Sequence, residues 1–102
     1  VMDNWYVLTG TVCKTPMRST SPAGIPHCKF VLEHQSQQLE AGMQRKAYLR
    51  MQVVVSGEAS QHYTQALDVG SVLRVAGFLN RHESKQGNPL LVLHAQQIER
   101  LS

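Results

Sequence analysis

The sequence predicts an all-β fold: a small barrel of five strands, closed on itself, with one short helix between strands 3 and 4. Three observations carry this. Five stretches have the alternation or the composition of half-buried strands. Two of them contain an internal glycine, Gly10 in Tyr6–Val12 and Gly77 in Val69–Leu79; glycine weakens a strand unless the sheet must bend or another backbone must come close. Only one segment has helical spacing, whereas a parallel sheet needs a crossover in nearly every connection.

The first strand is expected within Asn4–Lys14, with Tyr6, Leu8, Gly10 and Val12 on one side and Trp5, Val7, Thr9 and Thr11 on the other. Thr15–Ile25, rich in Thr, Ser, Pro and Gly, is expected to be a loop. The second strand, Pro26–Ser36, sets Cys28, Phe30 and Leu32 inward and His27, Lys29, Val31 and Glu33 outward. Gln35–Gln44 is polar and contains Gly42, which marks a hairpin connection. The third strand, Arg45–Ser56, turns Ala47, Leu49, Met51, Val53 and Val55 to one face and Lys46, Tyr48, Arg50 and Gln52 to the other. Gly57–Leu67 lacks β-branched density, and Ala59, His62, Tyr63 and Ala66 recur at helical intervals. Asp68-Val69-Gly70 turns the chain into the fourth strand, Ser71–Leu79, with Leu73, Val75 and Leu79 inward and Arg74 outward. A polar loop, Asn80–Pro89, leads to the fifth strand, Leu90–Leu101. The order β-β-β-α-β-β is that of an OB-fold Greek-key barrel.

The 102 residues suit one domain, residues 1–102, and no apolar run approaches the roughly 20 residues of a membrane span. Met2 is the expected start. Asp3-Asn4-Trp5 lacks the basic region and apolar core of a signal peptide, so the expected location is cytoplasmic. Cys13 and Cys28 fit no zinc or redox spacing, the five histidines form no HExxH-type pair, and no metal or cofactor is expected. No phosphate-cradling glycine loop, nucleophile elbow or carboxylate pair is present, so the expected activity is binding and not catalysis.

Charge gives direction to that expectation. The net charge is +3, and Gly10–Arg50 holds six basic residues against two acidic ones. Such a bias suits a polyanionic partner, although a mildly basic surface would look the same. The sharpest pattern is Arg45-Lys46-Ala47-Tyr48-Leu49-Arg50, where strand alternation places a ring between the cations of Lys46 and Arg50. Single-stranded nucleic acid needs that combination: cations for phosphates and a ring for an unpaired base. An exposed tyrosine shielded by the aliphatic stems of its neighbours is the plain alternative. Lys29 would extend the basic track, and Met43 would offer a soft apolar contact to a base. The Asn80–Pro89 loop, with Arg81, His82 and Lys85, would clamp the phosphate backbone, though Glu83 dilutes its charge.

Four stretches together resemble the primosomal replication protein N (PriB) family: Leu8-Thr9-Gly10-Thr11-Val12-Cys13, Ser21-Pro22-Ala23-Gly24-Ile25-Pro26-His27-Cys28, Phe30-Val31-Leu32-Glu33-His34 and Val92-Leu93-His94-Ala95. The resemblance runs from about Met2 to Leu101. It implies an OB-fold homodimer that binds single-stranded DNA without strong sequence preference. It also implies a part in replication restart through the helicase PriA and the protein DnaT. Tyr48 stands where the enteric member of the family has a stacking Trp, and Arg45 matches that member's arginine. Met43 replaces an aromatic residue. In the last loop, lysine-rich in that member, Lys85 retains one of the lysines, while Glu83 and Leu90 stand where two others would be and Arg81 beside them would compensate in part. Those exchanges imply weaker and less salt-dependent binding than in the lysine-rich relative. With only one evident basic face, DNA and the helicase are expected to compete. A protein-interaction module with incidental nucleic-acid binding, or an RNA-binding OB domain, fits the same strand pattern. Trp5, Tyr6 and Val7 are the candidates for a dimer contact.

Overall fold

The computed structural model describes residues 2–102. Six strands and one helix follow in the order β1 (Tyr6–Val12), β2 (Met17–Thr20), β3 (Pro26–Glu40), β4 (Met43–Ser56), α1 (Glu58–Tyr63), β5 (Val72–Glu83) and β6 (Pro89–Arg100). Five of the strands run β1-β5-β6-β4-β3, and a β1–β3 pairing closes the ring. The β4–β6 pair is parallel and the other pairs are antiparallel. This is the expected OB barrel, with its helix in the connection between the third and fourth barrel strands.

The inward residues meet as the alternation requires. Val12, Cys28, Phe30, Leu32, Val53, Val55, Leu73, Val75, Leu93 and Ala95 form one buried cluster. Both cysteines are free, Cys28 buried and Cys13 half-buried. The helix is shorter than the expected Gly57–Leu67. Its buried contributions are Ser60 and the following Thr64, whose hydroxyl donates to the Ser60 carbonyl. Arg18 donates to the Thr64 carbonyl at 2.5 Å and Arg100 to the Ala66 carbonyl at 3.0 Å, so two cations hold the end of this segment.

Three connections differ from the sequence reading. Thr15–Ile25 is not wholly a loop: Met17–Thr20 pairs with Pro26–Lys29 as an exposed edge strand, with Pro16 and Pro22 on either side of it and Pro26 at the end of the ladder opposite Thr20. Gln35–Gln44 is not a loose connection either, since β3 and β4 stay paired to Glu40↔Met43. Ala41 and Gly42, at φ 51° and 76°, form the two-residue turn, which needs left-handed backbone at both positions. Asn80–Pro89 is likewise mostly paired, with Asn80↔Val92 through Glu83↔Pro89 and a turn at 84–88. Both hairpins run past the barrel as two-stranded arms. Because β4 and β6 are parallel, the two tips point to the same end, and the molecule spans 51 Å along its long axis against 32 Å across. An arm without a core beneath it has two wet faces, so its sequence loses the apolar alternation that marks a strand.

Two glycines let the sheet close. A Cβ on Gly10 would lie 2.5 Å from the Glu33 carbonyl oxygen, at the point where β1 reaches β3. A Cβ on Gly77 would overlap the His94 carbonyl oxygen and lie 2.8 Å from its carbonyl carbon. The β5–β6 register shifts between Ala76 and Gly77, a bulge that sharpens the local bend. Since backbone blocks both positions, Gly77→Ala is expected to destabilise the fold by about 2 kcal/mol or more and to lower Tm by about 10 °C. Thermal unfolding by circular dichroism checks this; an unchanged Tm contradicts it.

Candidate nucleic-acid interface

Strand alternation in β3 and β4 builds the candidate surface. Residues pointing away from the core include Lys29, Val31, Glu33, Gln35 and Gln37 on β3, paired respectively with Val54, Gln52, Arg50, Tyr48 and Lys46 on β4. Lys46, Tyr48 and Arg50 therefore do share a face, and Lys29 lies on that face farther from the arm tip. The Tyr48 side chain remains open to solvent, with the residue 52% exposed. Its hydroxyl donates to Glu33 Oε2 at 2.9 Å. Arg50 Nη2 reaches the same oxygen at 3.2 Å, and Arg50 Nε donates to the Tyr48 hydroxyl oxygen at 3.3 Å. These contacts raise the Arg50 pKa, with Tyr48 the largest cause and Cys13 and Glu33 also contributing.

The remaining expected site residues do not join that face. Met43 and Arg45 alternate with Ala47, Leu49 and Met51, so they sit on the opposite side of the arm from Lys46 and Tyr48. Arg45 is paired with Glu40 at 3.6 Å. Arg81 shares the alternation of Leu79, opposite to His82, and is 3.9 Å from Glu83. Lys85 lies in the turn at the tip of the β5–β6 arm. Lys29, Lys46 and Lys85 make no ion pair among the described residues. What united Arg45 with Lys46 in the sequence was adjacency, and adjacency in a strand means opposite faces.

Where the outward face of β4 passes under the β5–β6 arm, a groove of about 360 Å³ opens. Val54 and Val92 lie in it, both buried although they point away from the core. Lys29 and His27 line one side, His82 and His94 the other. His27 Nδ1 bonds Ser56 Oγ at 2.8 Å. The Nε2 atoms of His82 and His94 face each other at 2.8 Å, a hydrogen bond that holds one proton between two rings. The His94 ring is stacked on Phe78, with centroids 4.8 Å apart and planes 3° from parallel. Burial first, and the nearby His82 second, lower the His94 pKa.

Glu33, Phe78 and His94 are residues that sequence reasoning did not assign to the site, and His82 entered only as a member of the Asn80–Pro89 loop. A signal for Glu33 was present. A two-residue turn at Ala41-Gly42 sets Glu33 opposite Arg50 by counting back along the hairpin. The histidines gave no such signal, because their meeting depends on the register shift at Gly77.

The model of a family described as another single-strand binding protein family matches residues 4–97. The replication restart protein PriB of Yersinia pestis bv. Antiqua (strain Nepal516) is 57% identical over 99 residues, covering 97% of this chain and 93% of the relative. The chain belongs to the PriB family of single-strand binding proteins. PriB of Serratia proteamaculans (strain 568) is 55% identical over 96 residues, 94% of this chain and 91% of that one. Solved structures agree in fold. PriB from Ralstonia solanacearum has a TM-score of 0.81 at 24% identity, covering 99% of this chain and 100% of its own. A deletion mutant of the single-stranded DNA binding protein from Thermus aquaticus has a TM-score of 0.82 at 20% identity, covering 97% of this chain and 50% of its own. As a member of a family of binding proteins, the chain is not an enzyme.

His94 supplies a test of the groove's architecture. Its folded pKa lies below the ordinary imidazole value of about 6.5, so the fold favours the neutral ring. The associated stability is fully present above the unfolded value and is lost as pH falls through the folded one, because the unfolded chain then binds more protons. Tm of the wild type should therefore fall between pH 7.5 and 5.5, and the fall should be smaller in His94→Gln. Identical pH profiles for the two proteins would contradict this assignment.

Proposed function

We propose that this protein is an accessory single-stranded DNA-binding protein of replication restart. The observation that carries the reading is the outward strip of β4, where Tyr48 lies between Lys46 and Arg50 on one face of an OB barrel. The strip provides a ring for a base and cations for the flanking phosphates, the two requirements of binding without sequence preference. Lys29 continues the track into the groove, and Lys85 offers a further cation at the arm tip. Arg45 and Met43 would meet the strand only if it wraps around the arm. Arg81 faces away and has Glu83 beside it, so it makes up little for a less basic loop. The relatives named as replication restart proteins support the cellular role.

The partners follow from the same reading. PriA and DnaT are the protein partners, and the basic face of the β3–β4 arm is where DNA and helicase would compete. The protein acts as a homodimer through β1. From Tyr6 to Leu8 this strand is paired with β5 on one edge only, and Trp5, Tyr6 and Val7 are each about half exposed. An unpaired edge beside apolar side chains is suited to strand pairing with a second copy. A second reading, a protein-docking module, draws on the exposed Leu90 and Leu91 in the β5–β6 arm.

Fluorescence anisotropy with dT oligonucleotides and matched duplexes tests the main reading. Tyr48→Ala should weaken single-strand binding about tenfold or more, since a base–aromatic stack is worth about 1–3 kcal/mol. Lys46→Ala should reduce the salt slope by about 0.7. Wild-type protein that binds neither nucleic acid, while still capturing PriA, would favour the docking module. Light scattering should give twice the 11.4 kDa chain mass, reverting to one chain in Val7→Asp.

A further inference from the structure

We propose that Glu33 is an internal stand-in for phosphate. In the free protein its carboxylate holds the cation and the ring of the binding strip, and DNA binding exchanges it for a phosphate oxygen. The proposal rests on the single-strand reading above and adds a residue that sets both affinity and strand selectivity.

The geometry is a closed triangle. Glu33 lies directly opposite Arg50 across the β3–β4 ladder. One oxygen, Oε2, accepts from the Tyr48 hydroxyl at 2.9 Å and from Arg50 Nη2 at 3.2 Å, while Arg50 Nε donates to the Tyr48 oxygen at 3.3 Å. Arg50 is thus neutralised by a partner on its own sheet, unlike Lys46 and Lys29 on the same face. The Tyr48 ring is anchored by its hydroxyl and yet open to solvent.

Exposure decides how this contact behaves. The Arg50 and Glu33 side chains are 53% and 29% exposed, so water already screens the pair. Exposed pairs contribute little to stability, whereas a buried pair would resist separation. A phosphate oxygen offers Arg50 the same charge-assisted bond as the carboxylate. Exchange is therefore accessible to a strand that brings a base onto Tyr48 together with a phosphate onto Arg50. A duplex brings phosphates without an unstacked base. It must displace or face the Glu33 carboxylate with no stacking in return, so Glu33 acts against the wrong ligand as much as it tunes the right one.

Glu33→Gln separates charge from geometry, because the amide oxygen still accepts from both Tyr48 and Arg50. In anisotropy titrations across a salt series, E33Q should bind dT oligonucleotides about threefold to tenfold tighter than wild type at low salt, with a slope steeper by about 0.7. The gain should vanish in the double variant E33Q/R50Q. Duplex binding should gain at least as much, so the ratio of single- to double-strand affinity falls. Arg50→Gln alone, which leaves the carboxylate unopposed, should weaken binding more than Lys46→Gln; this comparison stands even if E33Q folds poorly. Binding by E33Q equal to or weaker than wild type, a gain that survives R50Q, or an R50Q no weaker than K46Q overturns the proposal while leaving single-strand binding intact. A wild type that binds no single strand overturns the functional reading itself.

Discussion

The backbone contact between Gly77 and His94 is the constraint on which the rest of the molecule depends. Five strands make a ring only if neighbouring strands bend steeply where they cross, and here β5 lies against the carbonyl of β6 with no room for a side chain. The register shift at this point does a second thing. It resets the alternation of the β5–β6 arm, so that Phe78 stands opposite His94, and His82 opposite Leu90. The imidazole wall of the groove, with Phe78 stacked on His94, is a product of the bulge. Gly10 plays the matching part at the β1–β3 seam, where Thr11↔Glu33, Val12↔Leu32 and the Cys13 amide on the Val31 carbonyl close the ring.

A short closed barrel leaves its outer face and its hairpin arms for partners. The free positive charge of this surface is smaller than the sequence suggests. Arg18 holds the end of the helical segment, Arg45 is beside Glu40 and Arg81 beside Glu83. The lysines carry much of what is left for a polyanion, and they are flexible point charges rather than rigid forks. Such a surface suits a ligand whose backbone varies in path, since no bidentate geometry has to be met.

Much of this was legible in the sequence. Alternation identified the inward sets of the barrel strands, because most of their outward positions are polar, although Val31, Val54 and Val92 are buried on the outer side as well. Gly10 and Gly77 stood out because a glycine inside an otherwise strong strand needs a steric reason, and carbonyl oxygens supply it at both. The arms were not legible, since Gln35–Glu40 and Asn80–Glu83 have no core beneath them and so no apolar period. The Met17–Thr20 edge was hidden for the same reason, amid prolines and serines that read as loop. At the candidate site, Lys46, Tyr48 and Arg50 could be grouped from one strand. Glu33 could be added only by counting back across the Ala41-Gly42 turn, and the His82–His94 pair left no signal, because it depends on the register shift at Gly77.

The continuous length of β4 has a consequence for how this surface can change. One strand carries two patterns in alternate positions: Met51, Val53 and Val55 pack into the barrel, while Lys46, Tyr48 and Arg50 point outward. Point substitutions at the outward positions can rewrite the partner chemistry while the core stays as it is. The loss or gain of a single residue cannot, because a slip of one place exchanges the two sets and turns cations toward the core. A change of length is best tolerated at the Ala41-Gly42 tip, where it lengthens the arm without altering the phase of the barrel, so β4 can change in chemistry more readily than in count.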